Sequence, residues 1–438
     1  MRGPLGIYYY TSFPPLGFVA PWAFFRITGL APNIEHLLVF NLAIHLAATL
    51  LLALLVSELA SAVGVGRWIH VALVLLAAST YLFTFEALYS HGIIYWHHSL
   101  FQVVWLTQLL FAARVFRAAD DDAPLRRRDV AMLLGASFLA PAVEWAGYLT
   151  SALVAWRCDS RGVATKRRDL RRLGAWVFVC PFIAGVVLIV HYSSVLGMSP
   201  LIDGLRARAH ARSSDIGFIM RLGTRYVDSF GALLVLVPTA LAVYAASVRR
   251  RPTPWVVALI VVMTFPLVEN LLLAEHATSY HFDRLKALVP LVIVSAVAIA
   301  LLPARLQPRL MLLWLACVGW NLKDLRRSRA ISVSPPLSAN DALMRRVHAV
   351  AKPCAIYATN VEARGWVELS LGANAYENIL TTDSVTSLVR ARGACQGLYF
   401  RAAVAPGEDM YVWRDVIVVD PNSNQKLTAL TAMAGPSL

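Results

Sequence analysis

Two stretches of the chain concentrate side chains able to handle protons and phosphate. Residues 269–286 carry Glu269, Asn270, Glu275, His276, Ser279, Tyr280, His281, Asp283, Arg284 and Lys286. Arg284 offers a planar fork for a phosphate and Lys286 a point charge. Glu275, His281 or Asp283 could accept a proton from a hydroxyl that is about to act as a nucleophile. Residues 86–99 carry Glu86, Tyr89, His91, Tyr95, Trp96, His97, His98 and Ser99. Imidazoles there could hold an anion or shuttle a proton. Neighbouring histidines point in different directions, so His97 and His98 do not suggest a shared metal, and no CxxC or His-x-x-x-His spacing does either. A lone acid, Glu144, sits inside an apolar block, where an ionisable side chain is expected to be functional or paired. Each group also has a plainer reading: an ion-paired loop for 269–286, an aromatic belt with polar caps for 86–99, and a structural ion pair for Glu144.

The elements that hold these groups are apolar. Of 438 residues, 58% are hydrophobic and 15% charged, against about 45–50% and about 25% in soluble domains. The mean hydropathy is +0.60. Disorder, a coiled coil and a disulfide-rich secreted module are excluded. The fold class expected is an all-α polytopic membrane bundle followed by a small α/β domain. Eight spans are expected, at 36–58, 68–87, 99–117, 173–195, 229–247, 254–273, 285–303 and 308–322, since roughly 20 apolar residues cross a bilayer. The formal charge of +14 gathers in short loops, among them Arg126–Arg128, Lys166–Arg168 and Arg249–Arg251. That pattern points to membrane topology rather than to nucleic acid, and it places those loops inside.

Residues 129–156 are apolar but basic on both flanks. Pro141 and Gly147 interrupt them around Glu144 and Trp145, which suggests two short helices forming a hairpin with Glu144 at its apex, near the outer face. With that hairpin the parity closes, placing residues 1–35 and the chain end outside. Residues 196–228 are the exception: external by parity, yet bearing Arg206, Arg208, Arg212, Arg221 and Arg225. They suit an anionic carrier or headgroup, or an amphipathic helix lying on the membrane.

Three regions follow: an external segment at 1–35, a helical membrane domain at 36–322, and an external α/β domain at 323–438. In the last, an amphipathic helix is expected at 338–352, strands at 354–358, 397–404 and 411–419, and a helix near 382–392. Cys354 and Cys395 fall beside strands there. They pair if the compartment is oxidising, or stand as two unrelated buried thiols.

The most specific string is Tyr8-Tyr9-Tyr10-Thr11-Ser12-Phe13-Pro14-Pro15-Leu16-Gly17-Phe18. It resembles the Y-x-H-P-P-L segment in the first external loop of GT-C type polyprenyl-phosphate-dependent membrane glycosyltransferases, a group that includes protein O-mannosyltransferases and lipid A aminoarabinose transferases. The resemblance covers about residues 6–320. It implies sugar transfer from a polyprenyl phosphate to an acceptor hydroxyl at the outer face of a bacterial inner membrane; no cofactor is expected, the polyprenyl phosphate sugar being the donor substrate, and a divalent metal is left open. It also implies a catalytic acid between a first span and the Pro-Pro segment. No Asp or Glu precedes Glu35, so the chain reads as lacking that span and that acid. On this reading Tyr10, Pro14, Pro15, Glu86, His91, His97, His98, Tyr280, Arg284 and Lys286 would bind substrate, and Glu144, Glu275, His281 and Asp283 would be the catalytic candidates. A transporter or flippase for a lipid-linked or anionic solute, and a non-catalytic envelope-assembly protein, are the alternatives.

Overall fold

The computed structural model describes residues 14–32, 34–92, 95–199, 202–203, 206, 216–247, 252–332, 336–360, 375–376, 379, 381–403, 412–420 and 429–431. The chain forms two compact units, residues 1–325 and 326–438.

The first unit is helical. Its elements are α1 (Leu16–Thr28), α2 (Ile34–Val63), α3 (Arg67–Phe83), α4 (Phe85–Gly92), α5 (His97–Asp120), α6 (Arg127–Val143), α7 (Ala146–Ala164), α8 (Arg168–Leu196), α9 (Ile216–Phe230), α10 (Leu233–Ser247), α11 (Pro254–Val262), α12 (Phe265–Leu272), α13 (Ala274–Ser279), α14 (His281–Leu301) and α15 (Gln307–Ser332). Among the described residues, five segments are long and apolar enough to cross a bilayer: His36–Val63, His97–Asp120, Arg168–Ser194, Pro254–Leu272 and His281–Leu301. The pair Gly217–Phe230 and Leu233–Ser247 makes a sixth if counted as one span, though it is bent by 89°.

Eight spans were expected, and the differences have local causes. The expected span at 68–87 ends at Phe83, where Thr84 turns to extended backbone (ψ 140°). Its 17 residues lie at the lower limit for a crossing. Helix α15 continues to Ser332, but only residues 310–322, between Arg309 and Lys323, are free of charge. In the expected span 229–247, Gly231 takes φ +36° and the chain turns there.

The hairpin around Glu144 is present. Pro141 cannot donate a backbone hydrogen bond, and α6 stops two residues later. Glu144 is extended (φ −150°), its N–H bonded to the Ala140 carbonyl. Gly147 then packs against the backbone of Ala140 and Pro141, so closely that a Cβ would overlap both. Ser137 and Ser151, each seven residues from Glu144, meet through a bond from the Ser151 hydroxyl to the Ser137 carbonyl. The Gln108 amide on α5 donates to both hydroxyls, at 3.0 and 3.1 Å.

Around these elements lies a large apolar core. It includes Leu52, Leu55, Trp105, Leu109, Phe116, Leu288, Val292 and Trp314, all without solvent exposure. The end of the bundle that carries the basic loops is latched by ion pairs. Glu58 takes Arg114 at 2.8 Å and Arg117 at 3.4 Å. Asp120 pairs with Arg161 and accepts the Trp255 N–H at 2.9 Å, satisfying a donor in the first turn of α11. Two clefts of about 420 and 540 Å³ open there and share Arg117 and Asp121.

The second unit contains α16 (Pro336–Val350), α17 (Thr382–Arg392) and five strands: β1 (Ala355–Thr359), β2 (Ala375–Tyr376), β3 (Gln396–Ala403), β4 (Val412–Val419) and β5 (Ala429–Thr431). They form one sheet in the order β2-β1-β3-β4-β5. Strand β1 is parallel to β2 and β3, and β4 is antiparallel to β3 and β5. Alternation along the strands covers both faces. Leu398, Phe400 and Val416 face Leu343 and Val347 of α16, while Tyr399, Ile417 and Val419 face Val385 and Val389 of α17. The sequence pattern suggested three strands; β2 and β5, of two and three residues, are too short to show an alternation. Cys354 and Cys395 form a disulfide, with Cα atoms 5.6 Å apart.

Candidate functional site

At the end of the bundle opposite the basic loops, α14 begins with His281, Asp283, Arg284 and Lys286. Successive residues of a helix point about 100° apart, so Arg284 and Lys286 leave the helix in different directions and organise two separate polar networks. Both cations are buried: 2% of Arg284 and none of Lys286 is exposed.

The first network is built on Glu86 of α4, which is fully buried. Arg284 Nε donates to Glu86 Oε1 at 3.0 Å and to the Ser229 hydroxyl at 2.9 Å. Its Nη1 donates to the carbonyls of Ala277 (2.7 Å) and Thr278 (3.0 Å). Ser229 donates to Glu86 in a short bond. His281 Nδ1 lies 2.7 Å from Glu86 Oε2 and 2.8 Å from Arg284 Nη2. That nitrogen donates to the carboxylate in one tautomer and accepts from the guanidinium in the other, so only one of the two bonds holds at a time.

The second network is built on Lys286. Its Nζ is 2.7 Å from Glu144 Oε1, 2.8 Å from Glu269 Oε2 and 3.2 Å from Asp283 Oδ1. His98 Nε2 approaches the same oxygens of Glu144 (3.4 Å) and Asp283 (3.3 Å). His276 pairs with the other oxygen of Asp283. Asn270 donates to the Asp283 carbonyl at 3.3 Å and to the Tyr226 hydroxyl at 2.6 Å. Three carboxylates face one ammonium, leaving two uncompensated negative charges unless acids or imidazoles of the network carry protons. Unbalanced buried charge is costly, so the network has a strong tendency to hold protons. Burial pushes the Glu144 carboxyl above its ordinary range, with the Lys286 ammonium opposing the shift. Glu144 Oε2 is buried and makes no hydrogen bond among the described residues.

No protein-family model and no curated protein sequence matches the chain. His98, Glu144 and Asp283 present ligand atoms within 4.8 Å of one another, a spacing suited to a metal ion. The Lys286 ammonium already lies against the Glu144 and Asp283 oxygens, so a positive charge of the protein's own stands there.

The other expected site residues fall around these networks. Tyr10 lies outside the described residues. Pro14 is buried and Pro15 leads into α1, whose Gly17 packs on the His97 side chain and accepts the Tyr95 hydroxyl at 2.5 Å. Burial holds the Tyr95 phenol above its ordinary pKa, so it remains a donor. The rings of His97 and His98 are 3.9 Å apart. His91 packs on His45, with ring centroids 4.5 Å apart; burial, and after it the His45 ring, push its imidazole well below the ordinary value. Glu275 is half-buried on α13, and Tyr280, on the last residue before α14, is 45% exposed. Arg284 Nε and Nη1 are held by Glu86, Ser229 and the Ala277 and Thr278 carbonyls, while Nη2 meets His281 in only one of its tautomers.

Ser229 and Tyr226 had no sequence signal, being an ordinary serine and tyrosine where the arginine-bearing segment 196–228 meets the expected span 229–247. Glu269 and His276 stood in the dense 269–286 string but were not singled out. Their partners, 286 and 283, lie across a helix boundary that residue spacing alone does not reveal.

Proposed function

We propose that this protein is a membrane glycosyltransferase that moves a sugar from a polyprenyl phosphate to an acceptor hydroxyl at the outer membrane face. The observation that carries the reading is the unpartnered Glu144 Oε2 at a helix break, beside a buried Lys286 that two further carboxylates share. A carboxylate with one oxygen anchored and the other free of hydrogen bonds is arranged to take a proton.

In this proposal Glu144 Oε2 accepts the acceptor's hydroxyl proton. The acceptor oxygen bonds to the sugar's anomeric carbon, the bond from that carbon to the phosphate oxygen breaks, and polyprenyl phosphate leaves with the electron pair. Lys286 holds Glu144 Oε1, and His98 lies beside the same oxygen. The Pro14–Gly17 segment packs on Tyr95 and His97, whose ring lies 3.9 Å from that of His98. The resemblance of that segment to GT-C enzymes supports the donor class, and the loop charges support an outward-facing site in a bacterial inner membrane.

The test uses the purified full chain in liposomes containing radiolabelled undecaprenyl phosphate sugars and a panel of hydroxyl acceptors. Sugar transfer is expected, with Glu144→Gln reducing the rate by roughly 10²–10⁴-fold, the usual contribution of a positioned base. Failure of the native chain to consume any donor, or an unchanged rate in Glu144→Gln, would overturn the proposal.

A transporter is the second reading. It is favoured by the breaks at Glu144 and at Met263–Thr264, since discontinuous helices frame many transporter sites. Uptake of intact lipid-linked sugar into the same liposomes, without cleavage, would decide for it.

A further inference from the structure

Helix α9 (Ile216–Phe230) is divided lengthwise into three faces, and two of them have no partner among the described residues. At 100° per residue, Phe218, Leu222, Tyr226, Ser229 and Phe230 fall on one side. Leu222 packs with Ala274 and Ala277 of α13, and Ser229 reaches Glu86 and Arg284. The next sector holds Ile219, Met220 and Val227, which are 37%, 70% and 60% exposed. The third holds Arg221, Thr224, Arg225 and Asp228, all exposed. Apolar and charged sectors lie side by side along the full helix.

A helix exposing an apolar strip beside a cationic strip suits the boundary between acyl chains and headgroups. Its direction agrees. Helix α9 and the following helix, α10, make a sixth candidate span only when counted together, and α9 is bent from α10 by 89°. If α10 crosses the bilayer, α9 lies along its surface. Arg225 is 3.9 Å from Asp228, a loose exposed pair. The Arg221 guanidinium lies over the Phe218 ring at 4.3 Å and has no hydrogen bond or ion pair among the described residues. The excess charge on the polar strip is positive, complementary to an anionic headgroup.

We propose that α9 is an interfacial helix that binds the phosphate groups of anionic phospholipids through Arg221 and Arg225, with Ile219, Met220 and Val227 inserted among the acyl chains. This also accounts for arginines in a segment that the loop-charge rule would keep inside. Anionic lipid held at its surface is an attraction the rule does not count. The inference is independent of the sugar-transfer reading. It does bear on the buried networks, because the packed face of the same helix supplies Ser229 and Tyr226 to them.

The test uses the full chain in nanodiscs of phosphatidylcholine with or without 30% phosphatidylglycerol (~30%, chosen to mimic an anionic leaflet). Nitroxide labels are placed at Met220→Cys or Thr224→Cys in a Cys180→Ser background. Oxygen, which partitions into lipid, is expected to relax the label at 220, and a water-soluble nickel chelate the label at 224. In parallel, native mass spectrometry follows phosphatidylglycerol binding. Arg221→Gln with Arg225→Gln is expected to weaken it by roughly thirty-fold, from about one headgroup attraction per arginine, while Arg221→Lys with Arg225→Lys retains it. Equal accessibility of the two labels, unchanged lipid binding in the glutamine variant, or displacement of the lipid by millimolar inorganic phosphate would each overturn the inference.

Discussion

Lys286 Nζ lies 2.7 Å from Glu144 Oε1, joining the start of α14 to the break between α6 and α7 across 142 residues of sequence. Neither side chain is more than 4% exposed. A pair this enclosed ties the hairpin to the bundle, and its energetics are asymmetric: removing one partner strands the other.

Lys286→Met is therefore expected to be strongly destabilising. It leaves Glu144, Glu269 and Asp283 facing one another without their shared cation. Breaking a buried pair in this way costs about 3–5 kcal/mol. Thermal melting of the detergent-solubilised chain should show a large drop, and adding Glu144→Gln and Glu269→Gln should recover part of it by removing the stranded charges. A Lys286→Met chain that melts with the native one would show the pair to be energetically idle.

A second expectation concerns the hairpin and compares two glycines. Gly147 lies against the backbone of Ala140 and Pro141 with no room for a Cβ, whereas a Cβ at Gly135 meets nothing within 4 Å. Gly147→Ala should push the two helices apart and cost about 1–3 kcal/mol or more, as overpacking does. Gly135→Ala, inside α6, should be neutral or stabilising by up to about 1 kcal/mol. Melting temperatures of the two variants check the contrast, and equal shifts would contradict the close approach.

How much of this was legible beforehand follows from the range over which each signal acts. The hairpin was visible because Pro141, Glu144 and Gly147 act within a few residues of one another. The strands β1, β3 and β4 were visible because each is long enough for its alternation to show. The span count was overestimated where hydropathy alone was summed: it does not register the extended turn at Thr84 or the bend at Gly231. The site was half legible. Density of charge marked residues 269–286, but whether Arg284 faces a substrate or Glu86 depends on a contact 198 residues away, and no local pattern encodes it. Ser229 shows the limit most plainly, since its role comes entirely from where α9 is packed.

Sidedness gives a third expectation. Helix α5 runs from His97 to Asp120, so the two ends of the bundle lie about 36 Å apart at 1.5 Å per residue. The loop-charge rule puts Asp122 inside and Ser199 outside, and both are exposed. In intact cells a membrane-impermeant maleimide should label Ser199→Cys at once and Asp122→Cys only after permeabilisation. The reverse order would place the two polar networks at the inner face and remove the outward-facing reaction.

The fourth expectation concerns the second unit and its compartment. The Cys354–Cys395 bond closes a separation of 41 residues, linking the start of β1 to the start of β3 just before two strands that run parallel. Constraining an unfolded chain over such a loop is worth about 2–4 kcal/mol. Cys354→Ser, Cys395→Ser and the double variant should therefore destabilise the unit to a similar degree, because each removes the same crosslink and the effects do not add. Protease-resistance midpoints measure this. The redox state answers a separate question, since such bonds persist outside the cytoplasm and are rare within it. Peptide mapping of the membrane-extracted chain, alkylated before any reduction, should return the two cysteines as one crosslinked peptide pair. Full alkylation of both thiols would place this unit on the reducing side and would require the outward orientation to be abandoned, even if the sheet itself were folded as described.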